Sequence, residues 1–233
     1  MIKLEHTVEP SPEQMMFVIE GMRNPMNSWD KSDSYDGYDC KKCGHIDRAG
    51  CCKRGDIERE SCYKYYGLEL GSNDKNLMKK LAKAGTDHRK FMRMMPVMVR
   101  ITAPLYWWKE FDTYKVGTTA NSTSTMHRIH SKDFSRDDFS TDHMTEGALG
   151  ALDNMISFLE ESRIKFTETK DKKYWYDIIQ LLPSSYNQMR TVTLNYENLI
   201  NMYYARRSHK LDEWHTFCDW IRSLPYASEL ILI

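Results

Sequence analysis

The chain has 233 residues, with 33 lysines and arginines against 33 aspartates and glutamates, so its formal net charge is zero. A hydrophobic fraction of 41% supplies a core and a charged fraction of 28% a soluble surface, while the balanced charge argues against a general nucleic-acid coat protein and leaves room for a local pocket that holds one phosphorylated ligand. No apolar run is long enough to span a bilayer, and the N-terminal MIKLEHTVEP lacks the apolar centre of a signal peptide, so a cytoplasmic protein without membrane partners is expected.

The first helix is announced by Ser11-Pro12-Glu13-Gln14: Ser11 as N-cap, Pro12 at the first helical position and Gln14 at capping-box spacing. Asn24-Pro25 ends it. Residues 33–71 then change to Asp, Tyr, Gly, Cys and Lys with no sustained apolar period, which reads as an insertion within a single domain of residues 1–233. Asn73 or Asp74 is the expected cap of a second helix with Leu77, Met78, Leu81 and Ala82 on one face and Gly85 at its stop. Val97, Val99 and Ile101 alternate with Met98, Arg100 and Thr102, which is strand spacing. Pro104 opens an aromatic segment, PLYWWKEFDTYKV, read as helical, and residues 131–144 are a polar connection. Thr145 to about Phe166 has Leu149, Leu152, Met155, Ile156 and Leu159 at helical spacing. Helix over roughly Tyr174–Leu182, strand over Tyr186–Leu194, a helix capped by Asn195 and a last helix over Leu211–Leu224 complete the chain.

Dinucleotide-binding glycine turns, the phosphate-binding P-loop, the H-E-x-x-H zinc motif and the G-x-S-x-G elbow are all absent. His127-x-x-His130 reads better as two surface histidines in a polar loop than as a ligand pair.

The segment LPSSYNQMRTVTLNYENLINMYYAR, residues 182–206, resembles the C-terminal active-site element of the flavin-dependent thymidylate synthases. Leu182-Pro183, Tyr186, Asn195, Asn201 and Arg206 match it in register. His88 and, sixteen residues on, the Ala103-Pro104 pair resemble a second element of that family. Its signature run of arginines, His, Ser and Asn is degenerate here: Thr113 and Tyr114 stand for the first Arg and the His, Lys115 for the next basic residue and Thr118 for the Ser, with Asn121 and Ser124 offset by one residue. Two further arginines of the family fall at Met126 and Ile179. The likeness covers about residues 72–224, and the strings YWWKEFDTYK and NSTSTMH are similar to those of uncharacterised phage-type proteins.

The resemblance implies an α+β fold with a central antiparallel sheet flanked by helices. It implies a homotetramer that transfers a one-carbon unit to C5 of a deoxyuridine nucleotide, with FAD as cofactor and NADPH and methylenetetrahydrofolate as co-substrates. By the same resemblance Arg206 polarises the pyrimidine, Glu110 and Thr113 help to bind it, and His88, Lys115, Thr118, Asn121, Ser124, Asn195 and Asn201 hold the flavin. Because arginine is the side chain best shaped for bidentate phosphate contact, its loss at several positions motivates a second reading, a non-catalytic nucleotide- or flavin-binding protein of the same fold. A third reading is a partner-binding protein whose interface is Trp107, Trp108 and the neighbouring aromatics, although such segments more often form core.

Five of the six cysteines lie between Cys40 and Cys62. In a reducing compartment such a cluster favours metal or free thiols over disulfides. Cys40-x-x-Cys43 makes a good first zinc knuckle, and Cys51 or Cys52 with Cys62 an irregular second one. The set expected for a structural zinc is Cys40, Cys43, Cys52 and Cys62; unligated thiols are the alternative.

Overall fold

The computed structural model describes residues 2–38 and 66–233; the expected ligands Cys40, Cys43, Cys52 and Cys62 lie outside the described residues. In chain order the main elements are β1 (Lys3–Val8), α1 (Pro12–Arg23), β2 (Tyr35–Tyr38), β3 (Tyr66–Glu69), α2 (Ser72–Lys83), β4 (Pro96–Pro104), α3 (Leu105–Phe111), β5 (Thr119–Ser122), α4 (Glu146–Thr169), α5 (Lys172–Leu181), β6 (Asn187–Asn195), α6 (Tyr196–Arg206), α7 (Asp212–Ser223) and α8 (Ala227–Leu230). The fold is α+β, an antiparallel sheet with flanking helices, as expected. The four-stranded sheet has the order β1-β4-β6-β5. The β5–β6 pair is antiparallel, with Asn121 opposite Thr191, and β2 and β3 form a separate two-stranded antiparallel sheet.

Backbone contacts divide the chain into two units. The first comprises Met1–Thr7, Met98–Leu194 and Tyr204–Ile221; the second comprises Val8–Val97, Asn195–Tyr203 and Arg222–Ile233.

In the first unit the expected alternation along β4 is seen: Val99, Ile101 and Ala103 are buried while Met98 is exposed. Trp107, Trp108, Phe111, Trp214 and Phe217 are all buried. Trp107 packs edge-on against Trp108 with ring centroids 4.9 Å apart, and against Trp214 at 4.8 Å. The aromatic segment is core, which removes its two tryptophans as an exposed partner surface. The helix there, α3, is shorter than the sequence suggested and ends at Phe111. Its first N–H groups, unpaired in any helix, are taken up by the Leu-Pro turn: Leu105 N donates to Tyr186 O and Tyr106 N to Ser184 O, both at 3.0 Å. Thr145 caps α4, its hydroxyl accepting from Ala148 N, and α4 packs on α5 over Leu152, Leu159 and Ile178, with Ile129, Phe134 and Phe139 completing that cluster. Ile179, at an expected arginine position, packs against the same cluster.

In the second unit the Ser11–Gln14 capping box forms as read, with Gln14 N donating to Ser11 Oγ at 3.2 Å and Ser11 N to Gln14 Oε1 at 2.9 Å. The start of α2 differs from expectation. Its N-cap is Gly71, and the capping carboxylate is supplied from another segment: Asp33 accepts from Asn73 N at 2.9 Å and from Asp74 N at 3.1 Å. A Cβ on Gly71 would lie 2.2 Å from that carboxylate, so glycine is required there for space. Asp74, freed from capping, is buried and holds Arg23. At the other end Gly85 has φ +100, the left-handed conformation expected at a helix stop.

Candidate functional site

In the first unit, the last turn of α6 brings Arg206 to the end of α3 and the start of α7. Its Nη1 donates to Glu110 Oε2 at 2.7 Å and its Nε to the Tyr114 hydroxyl at 2.8 Å. The guanidinium carbon lies 4.7 Å from the Trp214 ring centroid and 5.4 Å from that of Tyr114. These distances are within cation–π range. Glu110 Oε2 also accepts from Trp214 Nε1 at 3.1 Å and lies 3.2 Å from His209 Nε2. On its other side the His209 ring accepts from Leu211 N through Nδ1 at 3.1 Å. Two donors thus converge on one carboxylate oxygen, with the His209 ring beside them, and this holds the guanidinium in place. The Arg206 side chain is 18% exposed, and among the described residues its Nη2 has no hydrogen-bond partner.

The sequence reading paired Glu110 and Arg206 in one role, and the structure brings them into contact. It missed Tyr114, Trp214 and His209. Tyr114 occurs where the resembled family has a histidine, and its hydroxyl and ring grip Arg206, so the departure has a structural consequence of its own. Thr113, also expected to bind substrate, is exposed, and its hydroxyl donates to Glu110 O at 2.7 Å, which closes the helix end.

The remaining expected residues of this unit are spread over its surface. Thr118 donates its hydroxyl to Tyr114 O, Lys115 is exposed, and Ser124 Oγ accepts from Arg128 N at 3.2 Å and Met126 N at 3.3 Å. Asn121 lies on β5, a strand that the sequence reading did not anticipate. It lines an open groove of about 540 Å³ with Thr119, Ser122, Thr123, Thr191 and Thr193. The groove offers neutral hydroxyls and an amide and no cation. Arg190, beside it on β6, is turned to other partners: it donates to Asp112 at 2.7 Å and stacks 4.1 Å from the Trp108 ring centroid. His127 is exposed, whereas His130 meets the Phe166 ring edge-on at 4.8 Å. Burial, reinforced by Lys170, Arg128 and Arg163, holds the His130 pKa below its ordinary value.

His88, Asn195 and Asn201 belong to the second unit. Asn195 caps α6 as expected, its Oδ1 accepting from Asn198 N at 2.9 Å while Asn198 Oδ1 accepts from Asn195 N at 3.2 Å. His88 is exposed on the turn that Gly85 begins. Asn201 is exposed and accepts from Arg89 Nη2 at 2.9 Å. A hollow of about 300 Å³ in this unit is lined by Met16, Phe17, Ile19, Glu20, Arg23, Trp29 and Ser32 and contains none of the expected residues. Among the described residues no cluster of side chains has the composition of a metal site, and no helix is long and apolar enough to cross a membrane.

No family model matches this sequence, and no curated protein matches it. Solved structures do. A flavin-dependent thymidylate synthase from Helicobacter pylori, complexed with FAD and dUMP, superimposes with a TM-score of 0.61 at 15% identity, over 99% of this chain and 97% of its own. A second structure of thymidylate synthase from the same organism, also with FAD and dUMP, gives 0.60 at 14% identity, over 99% and 96%. At such identities the likeness speaks for the fold, and it runs from end to end of both chains. The order of elements, the antiparallel sheet and this superposition together establish that the chain has the fold of the flavin-dependent thymidylate synthases.

Proposed function

We propose that this protein binds FAD and a pyrimidine deoxynucleotide and transfers a one-carbon unit to C5 of a deoxyuridine nucleotide. The observation that carries this reading is the state of Arg206: a guanidinium fixed by Glu110 and Tyr114, stacked on Trp214, with one donor edge unclaimed among the described residues. A planar cation held in this way suits a pyrimidine carbonyl, because it donates a hydrogen bond and draws electron density from the ring without reorganising. Glu110 acts here by keeping Arg206 in place, and Thr113 by closing the helix that carries Glu110.

The donors lining the groove at Asn121 fit the neutral parts of a flavin, the ring carbonyls and ribityl hydroxyls, and Lys115 is a free-standing charge for its phosphates. Thr118 and Ser124 in the first unit, and His88, Asn195 and Asn201 in the second, are the further residues that the resemblance assigns to the flavin. When bound, reduced FAD supplies the hydride, with NADPH as reductant and methylenetetrahydrofolate as carbon donor; the protein supplies orientation and electrostatics. We propose a homotetramer, tested by light scattering, in which a monomer near the chain mass of 27.6 kDa counts against the reading. We further propose one zinc on Cys40, Cys43, Cys52 and Cys62, tested by metal analysis of protein purified without chelators.

One observation favours the second reading, a non-catalytic binding protein. The family's arginine positions are occupied by Thr113, Met126 and Ile179, with Met126 O accepting from Trp175 Nε1 and Ile179 half-buried against the apolar cluster of α4 and α5. Two measurements separate the readings. A flavin spectrum released on denaturation supports both, and consumption of dUMP with methylenetetrahydrofolate and NADPH supports only the first.

A further inference from the structure

Glu197 and Asn201 stand one turn apart on α6 and share a face. Arg89, from the turn after Gly85, lies across both. Its Nε donates to Glu197 Oε1 at 3.2 Å and its Nη2 to Asn201 Oδ1 at 2.9 Å, with Thr86 Oγ1 as a further acceptor at 3.4 Å. The anchor is largely shielded from water: the Arg89 side chain is 14% exposed and that of Glu197 only 7%.

The consequence for Asn201 is chemical. Arginine has donors and no acceptor, so only the oxygen of the amide can face it. The Asn201 Nδ2 group is thereby turned outward on an exposed side chain. A free asparagine presents either edge with similar ease; this one presents only its donor edge.

We propose that Arg89 is a positioning residue that locks Asn201 with its N–H₂ group outward, so that this position accepts a ring carbonyl or an unprotonated ring nitrogen and rejects a donor. The ligand class rests on the flavin reading above, since an isoalloxazine ring edge is rich in such acceptors. The lock itself rests only on the geometry of Arg89, Glu197 and Asn201.

Asn201→Asp discriminates this role from a structural one. Arg89 pairs with the new carboxylate at least as well, so the fold is kept, while the outward edge changes from donor to acceptor. Titration with FAD and FMN, followed by flavin fluorescence, should show affinity reduced about tenfold or more with an unchanged or raised thermal midpoint. Wild-type affinity in Asn201→Asp overturns the proposal. Arg89→Met, made in a Glu197→Gln background so that no buried carboxylate loses its partner, should leave the amide free to turn and weaken binding about two- to fivefold. In protein labelled with ¹⁵N at asparagine, the Asn201 side-chain amide should be ordered in the wild type and mobile in the Arg89→Met, Glu197→Gln protein. Equal order in the two proteins overturns the lock. If wild-type protein binds neither flavin, the flavin reading falls and with it the ligand named here, while the amide measurement still decides whether Arg89 holds Asn201.

Discussion

Two arginine–carboxylate pairs, one in each unit, show how the same chemistry serves different ends. Arg23 and Asp74 meet at 2.5 Å with side chains 4% and 0% exposed. Arg23 also donates to Ser28 O and Lys31 O, and Asp74 Oδ2 accepts from Ser32 Oγ, Ser34 Oγ and the backbone N–H groups of Asp33 and Ser34. The guanidinium spends its donors on protein, and water is excluded. Arg206 and Glu110 meet at 2.7 Å with side chains 18% and 34% exposed, and one nitrogen of that guanidinium faces no described acceptor. A buried pair with every group satisfied fixes a loop on a helix; a half-open pair with a donor to spare can receive a ligand. The comparison teaches that partner count and exposure, more than the pair itself, separate a structural ion pair from a candidate binding one.

The largest expected effect tests the buried side. Asp74→Ala leaves a buried guanidinium uncompensated and should cost about 3–5 kcal/mol, read from urea denaturation; Arg23→Met with Asp74→Leu should recover only the part due to the unpaired charge, because the N–H groups of Asp33 and Ser34 and the hydroxyls of Ser32 and Ser34 still lose their acceptor. A loss below about 1 kcal/mol would put Asp74 in the class of surface pairs and break the contrast.

Acid should find the same pair. Burial opposes ionisation of Asp74, but hydrogen bonds from Ser34, Ser32 and Arg23 outweigh it and hold the folded-state pKa below the ordinary value. A depressed carboxylate pKa contributes stability that is present above the unfolded value, about 3.9, and is lost as pH falls through the folded value. Unfolding midpoints should therefore decline below about pH 4 in the wild type, and less steeply in the Arg23→Met, Asp74→Leu protein.

The half-open pair should respond in binding instead. Arg206→Ala should lower dUMP affinity about ten- to a hundredfold, the equivalent of about 1.5–3 kcal/mol for a charge-assisted hydrogen bond, with little change in stability. Arg206→Lys should not rescue it, since one ammonium cannot reproduce the planar fork. Calorimetry that gives equal dUMP affinities for wild type and Arg206→Ala removes the substrate role. Glu110→Gln keeps an acceptor but loses the charge, and a fall of about threefold to tenfold is expected. The smallest effect belongs to Arg207, one residue on. It is exposed and stacks on Tyr204 at 4.7 Å, so Arg207→Ala should stay within about twofold of wild type. A larger loss would mean that the basic end of α6 acts as a whole.

Much of the local structure was legible from residues a few positions apart. Ser11 with Gln14, Thr145 and Asn195 with its neighbours mark helix starts because a cap is a bond across two or three residues. The alternation along β4 was legible because a half-buried strand repeats every two residues. Tertiary structure decided what depended on distant partners. Asp33 takes the cap of α2 from 40 residues away, which releases Asp74 to Arg23 across 51. Glu110 reaches Arg206 across 96 and Trp214 across 104. The strand β5, with every residue exposed, carries no apolar period and exists because β6 offers it an edge. Caps and periods are properties of short stretches of sequence. Which carboxylate an arginine finds, and whether a donor is left over for a ligand, is settled only when remote segments are packed together.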